Sequence, residues 1–421
     1  MTLRQSFIEF FSLTDSNVRY VVLGIALLTS SAAMIGSFSL LKKKALVGDA
    51  IAHAVLPGIC LAFLLTGTKN SLYLIIGAFM TGWLSLVSID QITHRSKIKE
   101  DTALALVLSV TFGFGILLLT AIQHSGNAAQ VGLTNFLFGK AAALVSDDLQ
   151  ALAWLSLALM IIVGLFFKEF TLVAFDKAFA QASGLPVRQL ELLLTSLTVL
   201  AIVVGIRAVG ILLMAAMLIT PPAAARFWTD HLPTMVLLAA VLGMLAGLAG
   251  AFISYIAPAM PTGPWIVMAI SLIAYGSFLF APRKGLLARS IRQRRHQQKT
   301  LTENILKLLY ELGEAEGHAY KSRTLATLLH HRPMPMSTLL RGLKRLRKQN
   351  MVQPLGDRWF LTATGKNKGE AIWQLHCLWK LYLTQYLKIK PDHVHEDAES
   401  MEHILTPALA QELQSLVKTA E

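Results

Sequence analysis

Apolar residues fill the first two-thirds of the chain in stretches long enough to cross a bilayer, whose hydrocarbon core takes about 20 residues of helix. They fall near 19–41, 46–66, 71–92, 102–122, 149–167, 190–219, 233–256 and 264–281, with a weaker stretch near 131–146. Basic residues cluster where stretches end: Lys42, Lys43 and Lys44, then Arg95, Lys97 and Lys99, then Arg226, then Arg283 and Lys284. Cytoplasmic loops collect positive charge, so these clusters fit one topology, with the N-terminus outside and the C-terminus in the cytoplasm. An even number of crossings must then separate Lys99 from Arg226, and the weak stretch is counted as a crossing or re-entrant piece. The pattern predicts an all-α polytopic helix bundle of about nine spans over residues 1–282, embedded in the inner (cytoplasmic) membrane.

The apolar pattern stops at Pro282. Residues 283–300 are polar and basic and read as a juxtamembrane linker, lying on anionic headgroups or serving as a plain stop-transfer anchor. Residues 301–312 have helical apolar spacing, and 322–331 form a second short helix with Ser322 as its N-cap. Arg332-Pro333-Met334-Pro335 breaks the pattern before a strongly basic amphipathic helix over 337–348. A two-stranded hairpin follows over 352–362, with Gly356-Asp357 at its middle. Two helices, a basic helix and a hairpin in that order make a small, mostly-α winged helix-turn-helix domain over 301–365. Residues 366–387 form a longer helix and 396–418 one or two more, giving a helical segment over 366–421.

Composition agrees with a membrane protein: 54% of the 421 residues are hydrophobic, only 15% are charged, and the mean hydropathy is +0.55. Two cysteines, Cys60 and Cys377, make no disulfide framework and suit a reducing cytoplasm. Glu9 and Asp15 interrupt the start of the chain, which does not read as a cleaved signal peptide. From Arg283 onward there are 23 Lys/Arg against 13 Asp/Glu, so most of the net charge of +13 belongs to the tail. No GxxxxGK[ST] occurs, because Gly132…Gly139-Lys140-Ala141 has the wrong spacing and no hydroxyl. The chain therefore lacks the loop that cradles ATP phosphates.

Ionisable residues inside a span are costly and mark candidate chemistry. Asp49 and His53 stand four apart in the second stretch, one turn above each other on one helix face. A carboxylate and an imidazole so placed make either two ligands for a divalent cation or a hydrogen-bonded structural pair. Arg207, in the middle of a later stretch, calls for a pairing partner. In the tail, Arg341, Lys344, Arg345 and Lys348 share one face of the basic helix and fit phosphates. Ser337 and Thr338 at its start could reach base edges. The alternative is a solvated basic helix in an interaction module.

The run GDAIAHAVLPGICLAFLLTG resembles the signature of permease subunits of the metal-type ABC importers, and the stretch from Ala208 through ITPPAAA to Arg226 resembles that family's second block. The similarity spans most of residues 15–282. It implies import of manganese, zinc or iron, with Asp49 and His53 lining the cation path. Thr220, Pro221, Pro222 and Arg226 would lie at the cytoplasmic contact with a separate ATPase subunit. It further implies an external metal-binding protein and a second permease subunit as partners. The tail, from about Leu301 to Leu416, resembles the iron-dependent and manganese-dependent repressors. That resemblance implies a metal sensor built from His376, Glu399, Glu402 and His403, the last three at i, i+3 and i+4 on one helix face. Asn304 and Lys307 stand where the family places further ligands, and Lys380 where it places an acid one turn after His376. The resemblance thus implies a metal importer fused to a metal-responsive DNA-binding domain. The competing readings are a membrane-tethered regulator without transport, and a transporter whose tail is only a dimerisation module.

Overall fold

The computed structural model describes residues 3–12, 14–42, 46–68, 70–124, 146–257, 262–318 and 320–385. By internal contacts the chain divides into two units, Met1–Ala288 and Arg289–Glu421. Among the described residues the first unit is entirely helical: α1 (Leu3–Ser12), α2 (Ser16–Leu41), α3 (Val47–Ala54), α4 (Leu56–Thr66), α5 (Ser71–Arg95), α6 (Glu100–His124), α7 (Ser146–Leu165), α8 (Phe167–Phe175), α9 (Lys177–Ala182), α10 (Val187–Val209), α11 (Ile211–Trp228), α12 (Leu232–Ile256) and α13 (Thr262–Phe280). Among the described residues seven helical spans other than α11 are long and apolar enough to cross a membrane, or up to eight if α7 and α8, bent by 65°, act as one. The weak stretch near 131–146 lies almost wholly outside the described residues.

Two stretches that read as single spans are each made of two helices. Residues 47–66 form α3 and α4, which meet at Val55, with Pro57 in the first turn of α4 where its missing N–H leaves no bond unmade. Residues 190–219 are divided at Gly210, whose φ of 90° and ψ of 166° lie outside the regions open to residues with a Cβ. The chain bends sharply there: a Cβ on Gly205 would meet the Met214 sulfur at 2.1 Å. Nine residues of straight helix would put those positions about 13 Å apart, so α10 and α11 are two helices joined at a tight turn rather than one straight span.

α2 is the central helix, packed against α7, α11 and α12. Small residues let backbones touch, as is usual between membrane helices. A Cβ on Gly36 would fall 1.8 Å from the Leu218 carbonyl oxygen, and one on Gly58 2.1 Å from that of Gly77. Hydroxyls within the spans bond back to their own helix, as Ser37 does to the Ala33 carbonyl. Ser30 instead donates across to the Ala240 carbonyl at 3.3 Å, tying α2 to α12.

The second unit is built on α14 (Leu286–Ala315), so most of the basic 283–300 segment is helical and continuous with the helix expected from 301. β1 (Arg323–Thr324), α15 (Leu325–His331), α16 (Met336–Lys348), β2 (Val352–Leu355), β3 (Arg358–Leu361) and α17 (Ala363–Gln385) follow. The antiparallel sheet has the order β1-β3-β2. Pairing of Arg323 and Thr324 with β3 delays the start of α15, so Thr324 rather than Ser322 caps it, accepting from the Thr327 N–H at 3.3 Å. Ile305, Leu309, Leu328, Leu339, Leu343, Leu346, Val352 and Leu361 form the core. Glu316 accepts from Arg323 and Lys321 at 2.5 Å each, and these two cations hold its carboxyl down to about 2.

Candidate metal path and nucleic-acid interface

α3 is enclosed by α5, α6, α10 and α11. Six of its eight residues are buried, and the two that are not are Asp49 and His53. The structure therefore places this pair on the one accessible face of a helix otherwise sunk in the bundle. Asp49 Oδ1 stands 3.6 Å from His53 Nε2, with side-chain exposures of 46% and 21%. That separation exceeds a normal hydrogen bond. It is close to the spacing of two donor atoms each about 2.1 Å from one cation. The His53 ring packs edge-on to Phe112, with centroids 4.9 Å apart. Its Nδ1 is buried and has no hydrogen-bond partner among the described residues. Among the described residues no group of three or more His, Cys, Asp and Glu side chains could hold a metal ion. The pair offers two donor atoms on the accessible face of α3.

Three acids, Glu191, Asp49 and Asp90, are candidate partners for Arg207, and each has a partner among the described residues. Glu191 accepts from Lys42 at 3.1 Å and Lys177 at 2.6 Å, Asp49 faces His53, and Asp90 faces His94 at 3.4 Å. The Arg207 side chain lies outside the described residues.

The four expected contact residues of the second block all fall within α11. Pro221 and Pro222 are buried inside the helix and Thr220 is half-buried, which leaves only Arg226 exposed at the last turn. The described residues hold another exposed apolar surface, which the sequence did not single out. Between α8 and α10 the chain makes the short α9, capped by Asp176, whose carboxylate accepts from the Phe179 N–H at 2.9 Å. Phe175 and Phe179 are 66% and 59% exposed there. Lys177 and Glu191 fix this elbow to Lys42 at the end of α2. The capped turn Asp176-Lys177 and Gly184 were the available signal. Asp230, in the turn before α12, is paired with Lys284, whose hydrogen bond pulls the carboxyl below its usual range.

In the tail, Leu339, Gly342, Leu343 and Leu346 face α16 inward, while Ser337, Arg341, Lys344, Arg345, Arg347 and Lys348 are exposed and Thr338 is half-buried. Gly342 permits the close approach, since a Cβ there would meet Ile305 at 2.3 Å. Two of the expected DNA contacts are held locally. Arg345 donates to the Gln298 side chain, and Arg341 donates to the Ser337 carbonyl at 3.3 Å. Lys344 and Lys348 extend from the same face.

Of the expected sensor residues, Glu399, Glu402 and His403 lie outside the described residues. His376 is buried in α17, and facing its Nδ1 at 3.4 Å is the Lys307 amine. Asn304, one turn earlier on α14, is also buried. A lysine and an amide beside the imidazole do not fit a divalent cation, which takes anionic or lone-pair donors.

Comparison with known proteins places these features. The ABC 3 transport family model matches residues 14–281, and the model described as "Iron dependent repressor, metal binding and dimerisation domain" matches residues 362–421. The manganese transport system membrane protein MntC of Bacillus subtilis is 40% identical over 378 residues, 90% of this chain and 86% of that protein. The zinc transport system membrane protein TroC of Treponema pallidum is 40% identical over 67% of this chain and 95% of its own length. The solved structure of PsaBC from Streptococcus pneumoniae in complex with Fab matches with a TM-score of 0.59 and 31% identity, covering 68% of this chain and 99% of that one. Seven or more apolar spans around a polar α3 face, and a family match running through all of them, lead to one conclusion: the chain belongs to the ABC 3 transport family and carries a C-terminal iron-dependent-repressor domain.

Proposed function

We propose that this chain is the permease subunit of an ABC importer for divalent transition metal, of the manganese, zinc or iron class. Asp49 and His53 are its cation-handling residues. The observation that carries this reading is the Asp49–His53 pair, the only unburied positions on a helix enclosed by four others. The relatives' manganese and zinc transport names support the cargo class. An external metal-binding protein delivers the ion, a second permease subunit completes the channel, and a separate ATPase drives alternating access.

The membrane sides follow from charge and pairing. Lys42 belongs to a basic cluster, and its pairing with Glu191, which also pairs with Lys177, supports a cytoplasmic side for α9 and the start of α10. Taking α10 and α11 as separate crossings, with α11 added to the seven or eight, those between Lys99 and Arg226 are α6, α7–α8, α10 and α11, an even number without the weak stretch. The tail after α13 is then cytoplasmic, and the ATPase docks on α9 through Phe175 and Phe179. Phe179→Ala should lower ATP-driven uptake by tenfold or more with unchanged membrane levels. Co-purification of the ATPase with the variant at normal yield, together with normal uptake, would remove α9 from the interface.

The tail is a winged-helix DNA-binding domain with α16 in the major groove. Ser337, Thr338 and Arg341 lie nearest the bases, with Lys344, Arg345 and Lys348 on phosphates, once Arg341 and Arg345 leave their local partners. The full chain in nanodiscs should bind its own promoter more tightly than random duplex. Lys344→Ala with Lys348→Ala should weaken both and flatten the salt dependence by roughly one unit per lost phosphate contact. Arg341→Ala should instead relax sequence preference. Equal affinity for promoter and random DNA would make the tail an interaction module.

A further inference from the structure

Lys307 is 4% exposed and His376 6%, and both belong to the tail unit, one on α14 and the other on α17. Burying a lysine head is costly unless the ammonium is given partners. It has three donors and no acceptor, so facing Nδ1 at 3.4 Å it donates. A neutral imidazole whose Nδ1 accepts must carry its proton on Nε2. Neither ring nitrogen then offers a lone pair to a metal, and a dication brought to Nδ1 would meet the lysine's charge. Asn304, three residues before Lys307 and 8% exposed, adds an amide to this wall and no negative charge.

We infer that Lys307 holds the place of the metal in this domain: its amine is a covalently attached cation linking α14 to α17 at His376, so the tail takes no regulatory metal there. The inference rests on the repressor-like reading of the tail and deepens it. A domain whose relatives' model is described as metal-binding is here kept in one state by a side chain that cannot dissociate. Its DNA affinity is therefore set independently of the ion that the membrane unit carries.

Manganese binding to the full chain in nanodiscs, read by electron paramagnetic resonance, tests this without involving DNA. Asp49→Ala and His53→Ala are included throughout to remove the path ligands. The chain with Lys307 should bind no stoichiometric manganese up to millimolar concentration. Lys307→Glu should gain one manganese per chain, at least tenfold tighter than the Lys307 chain, and His376→Ala added to it should remove that ion. Lys307→Gln is the milder companion should the carboxylate fail to fold, and a smaller gain is expected from it. Stoichiometric manganese in the Lys307 chain that disappears with His376→Ala overturns the inference. So does a folded Lys307→Glu and Lys307→Gln pair that both bind none, because the lysine would then not be what keeps metal out. Failure of DNA binding in every chain would count against the nucleic-acid reading alone and would leave the manganese result to decide this one.

Discussion

Cells carrying Asp49→Ala or His53→Ala should accumulate manganese, zinc and iron no faster than cells lacking the chain, while the protein inserts at normal levels. The expectation follows from the small number of donors on α3. The helix presents one carboxylate and one imidazole, 3.6 Å apart, and nothing else on that helix is unburied. Removing either leaves a single ligand for an ion that has shed part of its hydration shell. An incompletely compensated charge inside a bundle costs several kcal/mol, which corresponds to a rate loss of two or more orders of magnitude. His53→Ala should not destabilise the bundle much, because its polar contacts are few: one long approach to Asp49 and one edge-on contact with Phe112. Radiometal uptake beside a surface-accessibility or blotting control checks both halves. Normal accumulation of all three metals in either variant would sink the assignment of the path.

Gly36→Val should have the largest effect on folding, with Gly276→Ala as its neutral counterpart. A Cβ at Gly36 would lie 1.8 Å from the Leu218 carbonyl oxygen and 2.8 Å from its Cα, so the obstacle is backbone and no rotamer relieves it. α2 and α11 must then separate, which loosens the central helix from its neighbours. Overpacking of this kind costs about 1–3 kcal/mol, and more when backbone must move. Valine adds two further carbons to the clash. Nothing lies within 4 Å of a Cβ built on Gly276, and alanine is the better helix former there. Thermal unfolding in detergent, followed by size exclusion, should show a drop of several degrees or no folded peak for Gly36→Val. Gly276→Ala should show no loss. Equal behaviour of the two would mean that α2 and α11 do not pack closely.

The membrane class was legible because bilayer thickness imposes a length on every span, and a run of 20 apolar residues has few other uses. The winged-helix order was legible for a similar reason, since periodicity, breakers and the Gly356-Asp357 turn are local signals. The 190–219 stretch was not: hydropathy sees no difference between one long span and two helices joined at a tight turn. The difference lies in a single φ of 90° at Gly210 and in the Gly205–Met214 contact it allows. Likewise, the resemblance implied a partner contact at Pro221 and Pro222, and only the structure gives their burial within α11.

Two Asp–His pairs with identical spacing show where sequence stops. Asp49–His53 and Asp90–His94 are both four apart, and their oxygen–nitrogen distances are similar, at 3.6 and 3.4 Å. The second pair is 66% and 77% exposed at the end of α5, while the first sits in the bundle on a helix enclosed by four others. Sequence by itself determined the residue types, the helix faces and the number of apolar runs, because these depend on neighbours within a turn or two. Tertiary structure alone decided which Asp–His pair lies inside, that α10 and α11 part at Gly210, and that the Lys307 amine meets His376 from 69 residues away. Those outcomes depend on which helices touch, and contact between distant segments is set by packing and burial that no local pattern encodes.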